Sequence, residues 1–139
     1  MKSHCNQIPA FLDLKFINGF YGATAGNLNG NGYYICIKKQ CNLYQGNQKT
    51  AQVELLHSRK FSSSAYFENS IYFIGGWFSE DTAERIDLNT TVSTLIEGPE
   101  EHTDDHCLVV FDNKLWKVGG DLGDIKGLES TWIYQDRKS

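Results

Sequence analysis

At 139 residues, with 40% hydrophobic and 13% aromatic content, the chain has the composition of a modest globular domain rather than a disordered segment. Its formal charge of −4 and its lack of any Lys/Arg stripe argue against a nucleic-acid surface, since nothing would displace counterions from phosphate. No apolar stretch approaches the roughly 20 residues that span a bilayer. Met1 to Ala10 is polar and has no signal-peptide core, so the expected compartment is the cytoplasm.

Residues 1–18 form an N-terminal segment in which Phe11-Leu12-Asp13-Leu14 alternates like an outer strand of a preceding unit. Residues 19–58 then read as four short strands. Ala23-Thr24-Ala25 leads through Leu28-Asn29-Gly30-Asn31-Gly32 into Tyr33-Tyr34-Ile35-Cys36, and Cys41 to Tyr44 and Ala51 to Leu55 follow.

Residues 59–99 make a second unit. Ser64 to Phe67 and Ile71 to Gly76 flank the turn Glu68-Asn69. Thr82 to Leu88 and Thr91 to Ile96 come after the polar loop Trp77-Phe78-Ser79-Glu80-Asp81. Both faces of the Ile71 to Gly76 run are apolar, which implies a sheet packed between neighbours rather than half in water. Asn and acidic residues suit the turn because they tolerate positive φ. Gly75 and Gly76 end the run where a Cβ would be costly.

Residues 100–139 repeat this pattern. Ser64 to Gly76 returns as Leu108 to Gly120, every position displaced by 44 residues: Phe67 becomes Phe111, Ile71 becomes Leu115, Tyr72 becomes Trp116, and Gly75-Gly76 becomes Gly119-Gly120. Repetition at this period points to stacked sheet units of roughly 35 to 40 residues. Residues 19–58 are a degenerate copy, with Ile37-Lys38 where the Gly pair should stand. The last unit supplies Cys107 to Phe111, Lys114 to Val118 and Ser130 to Gln135 but no fourth strand. An edge left unpaired in this way invites self-association.

The pattern resembles the kelch repeat of β-propellers: a strand ending in Gly-Gly after a turn, with an aromatic four residues before the last Gly. Arg59 ahead of the second unit and Tyr134 in the third also suit that pattern, whereas the tryptophan usual on the fourth strand is missing. The resemblance implies an all-β fold of kelch-like blades with four antiparallel strands each, here an incomplete propeller of about three blades. Propellers close with four to eight blades, so the expectation is a portion of a larger protein. The implied function is a non-catalytic protein-protein interaction module, as in ubiquitin-ligase substrate adaptors or cytoskeletal kelch proteins, with no cofactor.

The partner would be a protein engaged through the inter-strand loops. Trp77 and Phe78, rimmed by Glu80 and Asp81, have the aromatic-with-polar-rim chemistry of binding hot spots. Asp121, Asp124 and Ile125 occupy the equivalent loop of the next unit. Ser62-Ser63-Ser64 reads as the small, polar start of an inner strand facing a channel.

Cys36 and Cys41 lie within reach of a disulfide if their hairpin is tight, and extracellular kelch proteins carry a Cys on each side of this loop. Cys5 and Cys107 have no obvious partners, so free thiols are the expectation. The alternative is a secreted propeller binding glycans or extracellular matrix, in which Asn89-Thr90-Thr91 would be a glycosylation sequon. His102, Asp104, Asp105 and His106 cluster behind Pro99, which precludes the helix a His pair at this spacing needs, so no metal site is expected. No nucleophile elbow or phosphate loop is present. A copper oxidase of the galactose oxidase type would need Tyr, Cys and His residues on one axis, and the four histidines offer no such arrangement.

Overall fold

A computed structural model of the chain describes residues 22–76, 82–98, 107–118 and 131–134. Within them the fold is all-β, with eleven strands in three antiparallel sheets. The first sheet holds β1 (Thr24–Asn27), β2 (Gly32–Ile37), β3 (Gln40–Gln45) and β4 (Gln48–Glu54). The second holds β5 (Ser63–Phe67), β6 (Ser70–Ile74), β7 (Ala83–Asp87) and β8 (Val92–Ile96). β9 (Cys107–Phe111), β10 (Lys114–Val118) and β11 (Thr131–Tyr134) form the third. Each sheet is a meander in which spatial order follows chain order. Among the described residues nothing pairs with the outer side of β11. The strands begin and end close to where their residue patterns place them, but β4 starts at Gln48 rather than Ala51. Gly46, at φ 58°, turns the chain tightly enough for Gln45 to pair with Gln48 at once.

The 44-residue repeat survives as geometry. Glu68 and Asn69 both take positive φ (48° and 58°), as do Asp112 and Asn113 (52° and 55°), the two-residue turn whose twist matches that of the strands it joins. Phe67 pairs with Ser70 and Phe111 with Lys114, so the two hairpins share one register.

Strand alternation assigns each residue to a face. One face of the first sheet carries Tyr34, Cys36, Cys41, Leu43 and Val53, which pack against Ile71, Phe73 and Ile86 of the second. The opposite face of the second sheet carries Phe67, Tyr72, Ile74 and Ala83, which meet Leu108 and Leu115 of the third. The middle sheet is thus apolar on both sides, as its sequence requires. Full burial of Ile71, Ile74 and Ile86 contributes about 1.5–3 kcal/mol per side chain.

Ser63 and Ser64 do not line an open channel, and Ser62 beside them is half-buried. Ser63 and Ser64 are buried, and the Ser64 hydroxyl lies 2.7 Å from both the Thr24 hydroxyl and the Tyr34 phenol. β5 approaches β1 closely at this junction, small residues fill it, and the three hydroxyls satisfy one another in place of water. Burial pushes the Tyr34 hydroxyl above its usual pKa, and the bond with Ser64 opposes that rise. Gly26 completes the junction, because a Cβ there would meet the Tyr34 hydroxyl at 2.5 Å.

Gly75 and Gly76 have φ of 70° and 109°, and a Cβ on Gly76 would stand 2.9 Å from the Lys60 carbonyl oxygen. Conformation and space therefore both demand glycine at position 76. Gly76→Ala should lower stability by about 1–3 kcal/mol, read from urea unfolding, whereas Gly30→Ala, with φ of 63° but open space, should cost less.

Candidate functional site

The described residues closest in sequence to the proposed binding loop are Gly76 and Thr82, the two ends from which it springs. Their neighbourhood is built by the segment connecting the first and second sheets. Arg59, wholly buried, donates from Nη1 to the Gly75 carbonyl at 3.1 Å, to the Thr82 carbonyl at 3.1 Å and to the Thr82 hydroxyl at 2.7 Å. Gly75 N–H donates to the Thr82 carbonyl at 2.9 Å, which closes the root of the loop. One guanidinium therefore holds both stems at once.

Arg59 is in turn held by Glu84 on β7, with Nε to Oε1 at 2.9 Å and both side chains out of solvent. The Glu84 carboxylate also accepts from the Leu56 and His57 amides at 2.5 and 3.3 Å, and from the Ser93 hydroxyl at 2.6 Å. Burial lowers the Arg59 pKa from its ordinary value while the adjacent Glu84 carboxylate raises it. A charge buried this deeply persists only when paired and hydrogen-bonded. Sequence reading singled out Arg59 but missed Glu84. The available signal was a lone carboxylate between Ala83 and Ile86 on a strand otherwise set in the core.

Of the residues named from sequence, Tyr72 is buried in the second sheet and Trp116 is half-buried in the third. The Trp116 indole donates to the Phe111 carbonyl at 2.8 Å, bracing its hairpin. Gly75 and Gly76 end β6 as expected. Trp77, Phe78, Glu80, Asp81, Gly119, Gly120, Asp121, Asp124 and Ile125 lie outside the described residues, as does the His102 to His106 run. Among the described residues no group of three or more His, Cys, Asp or Glu side chains could hold a metal ion. No helix among them is long and apolar enough to cross a membrane.

The cysteines require a correction. Cys36 and Cys41 are directly opposed register partners on β2 and β3, on the same face, with Cα atoms 4.0 Å apart and their sulfurs bonded. Cys107 is also disulfide-bonded, and no described cysteine is free. The expectation of free thiols is overturned because pairing across the tight β2–β3 hairpin sets the two side chains face to face. Cys5 lies outside the described residues.

No protein-family model matches this chain, and no curated protein does. Solved structures do match it. One of them, described as the structure of YjhT, is similar over 73% of this chain at 15% identity, with a TM-score of 0.63. At that identity the likeness concerns the fold alone. This chain spans 34% of the length of that structure.

Glu84→Ala should destabilise by about 3–5 kcal/mol, because it strands a buried guanidinium. Glu84→Gln, which keeps an acceptor, should cost less. Equilibrium urea unfolding separates the two. Replacing Cys36 and Cys41 together by Ser should cost about 2 kcal/mol, the contribution expected of a bridge that closes so short a loop.

Proposed function

We propose that this chain is a run of kelch-like propeller repeats serving as a non-catalytic protein-binding module, engaged through the loops that follow its Gly-Gly strand ends. The observation that carries the reading is the Arg59 clamp. It spends a buried cation, paired with Glu84, on fixing Gly75 against Thr82, and so anchors the stems of the loop that bears Trp77 and Phe78. Binding surfaces gain affinity when their loops are held ready, because less ordering entropy is lost on association. The repeat itself supports the propeller reading, through two hairpins of common register set in consecutive meander sheets.

The disulfides favour a secreted module over a cytoplasmic adaptor, since such bonds form and persist in oxidising compartments. Asn89 sits exposed in the β7–β8 turn, where a glycan could be attached without disturbing the core. On this reading the partner is an extracellular protein or a matrix component. Neither ubiquitin-ligase adaptor nor cytoskeletal roles draw support from the cysteine chemistry.

Replacing Trp77 and Phe78 together by Ala should weaken partner capture by about 2 kcal/mol or more, with the circular dichroism spectrum unchanged. Unaltered capture by the folded variant would assign the aromatics to packing and sink the binding role. Intact mass of the non-reduced protein should fall two hydrogens below the reduced value for each bridge. A protein purified from its natural source with every thiol free would refute the secreted assignment.

A further inference from the structure

Ten asparagines occur in this sequence, and only Asn89, in Asn89-Thr90-Thr91, stands two residues before a serine or threonine. That triplet lies wholly in the β7–β8 turn, with all three residues exposed. The turn is pinned from several sides. The Asn89 amide donates to the Asp87 carboxylate at 2.8 Å, the Thr91 amide to the Asp87 carbonyl at 2.7 Å, and the Leu88 amide to the Asn69 carbonyl at 3.1 Å. The Asn89 side chain is oriented through its oxygen, which accepts from the Asn69 side-chain amide at 2.9 Å. Its nitrogen, Nδ2, donates to no described residue.

A second observation singles out Thr91. Its φ is 56°, in the left-handed region, where a β-branched side chain crowds its own backbone. The matching turn of the first sheet, between β3 and β4, gives its left-handed position to Gly46, at φ 58°. A turn selected for stability alone would carry glycine at position 91 as well. Backbone held against its preference is found chiefly where the side chain has another role. For a hydroxyl two residues past an asparagine, that role is recognition of the acceptor by an oligosaccharide transferase.

We propose that Asn89 carries an N-linked oligosaccharide, placed so that the candidate binding loop stays clear. In the transfer, Nδ2 attacks the anomeric carbon of an oligosaccharide held on a lipid pyrophosphate. The N–C bond forms as the C–O bond to the pyrophosphate breaks, the lipid pyrophosphate leaves with the bonding electrons, and one amide proton passes to a base of the transferase. The placement follows from strand order. The Glu68-Asn69 and Leu88 to Thr91 turns share one end of the second sheet, joined by Asn69 and Asn89, whereas the Gly75 and Thr82 stems lie at the other end. β7, five residues long, sets about 17 Å between them. A sugar on Asn89 therefore shields the turn end and leaves the opposite end to a protein partner. The inference rests on the secreted reading above.

The test directs the full chain into the secretory pathway of a eukaryotic host behind a cleavable signal peptide. The secreted protein should exceed its sequence mass by one oligosaccharide. Peptide N-glycosidase F in heavy-oxygen water should remove the sugar and leave the isotope at position 89, read from peptide masses. Asn89→Gln and Thr91→Ala should each abolish the added mass, whereas Thr91→Ser should retain it. Thr91→Gly should also abolish it, and in protein made without sugar in a bacterial periplasm the same substitution should raise the urea midpoint. Secreted, disulfide-bonded protein without the isotope mark at Asn89 would overturn the proposal. A midpoint lowered by Thr91→Gly would overturn it too, since the turn would then need threonine for its own stability. Variants that fail to leave the cell do not block the test, because the mark is read on the unaltered protein. The host supplies the compartment, so a missing sugar refutes the site, while free thiols in protein from its natural source refute the secreted reading.

Discussion

The organisation of this protein depends on one buried ion pair. Arg59 belongs to the connection leaving the first sheet and Glu84 to the third strand of the second, so their contact fixes how the chain passes from one sheet to the next. The Glu84 carboxylate also accepts from the Leu56 and His57 amides of that same connection, and from the Ser93 hydroxyl on β8. Arg59 Nη1 is spent on Gly75 and Thr82. An ion pair in the interior gains little net stability over a well-packed apolar pair, because desolvation offsets most of the attraction. What it supplies here is position. Hydrophobic faces can slide over one another at small cost, whereas a guanidinium with four directed contacts cannot.

Around this fixed point the sheets are joined by the hydrophobic effect, which is non-directional and scales with area. The middle sheet illustrates the consequence. Ile71 and Phe73 face one way, Tyr72 and Ile74 the other, and all four are buried, so this strand is the shared wall of two cores. The Cys36–Cys41 bridge sits within the first of those cores rather than at the surface, and packs as part of the same apolar face. Its covalent constraint therefore acts on the β2–β3 hairpin and not between sheets. The hydroxyl trio of Thr24, Tyr34 and Ser64 is the polar counterpart at the first junction, and it tolerates burial because its members bond to one another.

The candidate site inherits its order from these contacts. Its stems are held by a charge that the core has already immobilised, so rigidity at the loop root comes from the same interaction that sets the sheet-to-sheet passage. The two features are physically one: disturbing Glu84 would loosen both the connection and the stems. That coupling explains why a charged residue persists at the end of an apolar strand pair in which, on grounds of stability alone, a large aliphatic side chain would serve as well.

By itself the sequence determined the local structure and the architecture of the unit. Alternating β-branched and aromatic runs, the acid-Asn turns and the paired glycines act through nearest neighbours, and a register of 44 residues makes each copy vouch for the other. The hairpins at Glu68-Asn69 and Asp112-Asn113 were legible for that reason, as was the need for glycine at 75 and 76. Contacts between residues distant in sequence were not legible, because a strand pattern says which face a side chain takes but not what stands opposite. Hence Ser64 looked like a channel residue until β1 was seen against β5, and Glu84 carried no sign that Arg59 would meet it. Cys36 and Cys41 read as free thiols, although a tight hairpin would put them within reach of a bridge. Only the tertiary structure decided these, since pairing a charge, a hydroxyl or a thiol depends on a partner brought within a few ångströms by packing that no single segment encodes.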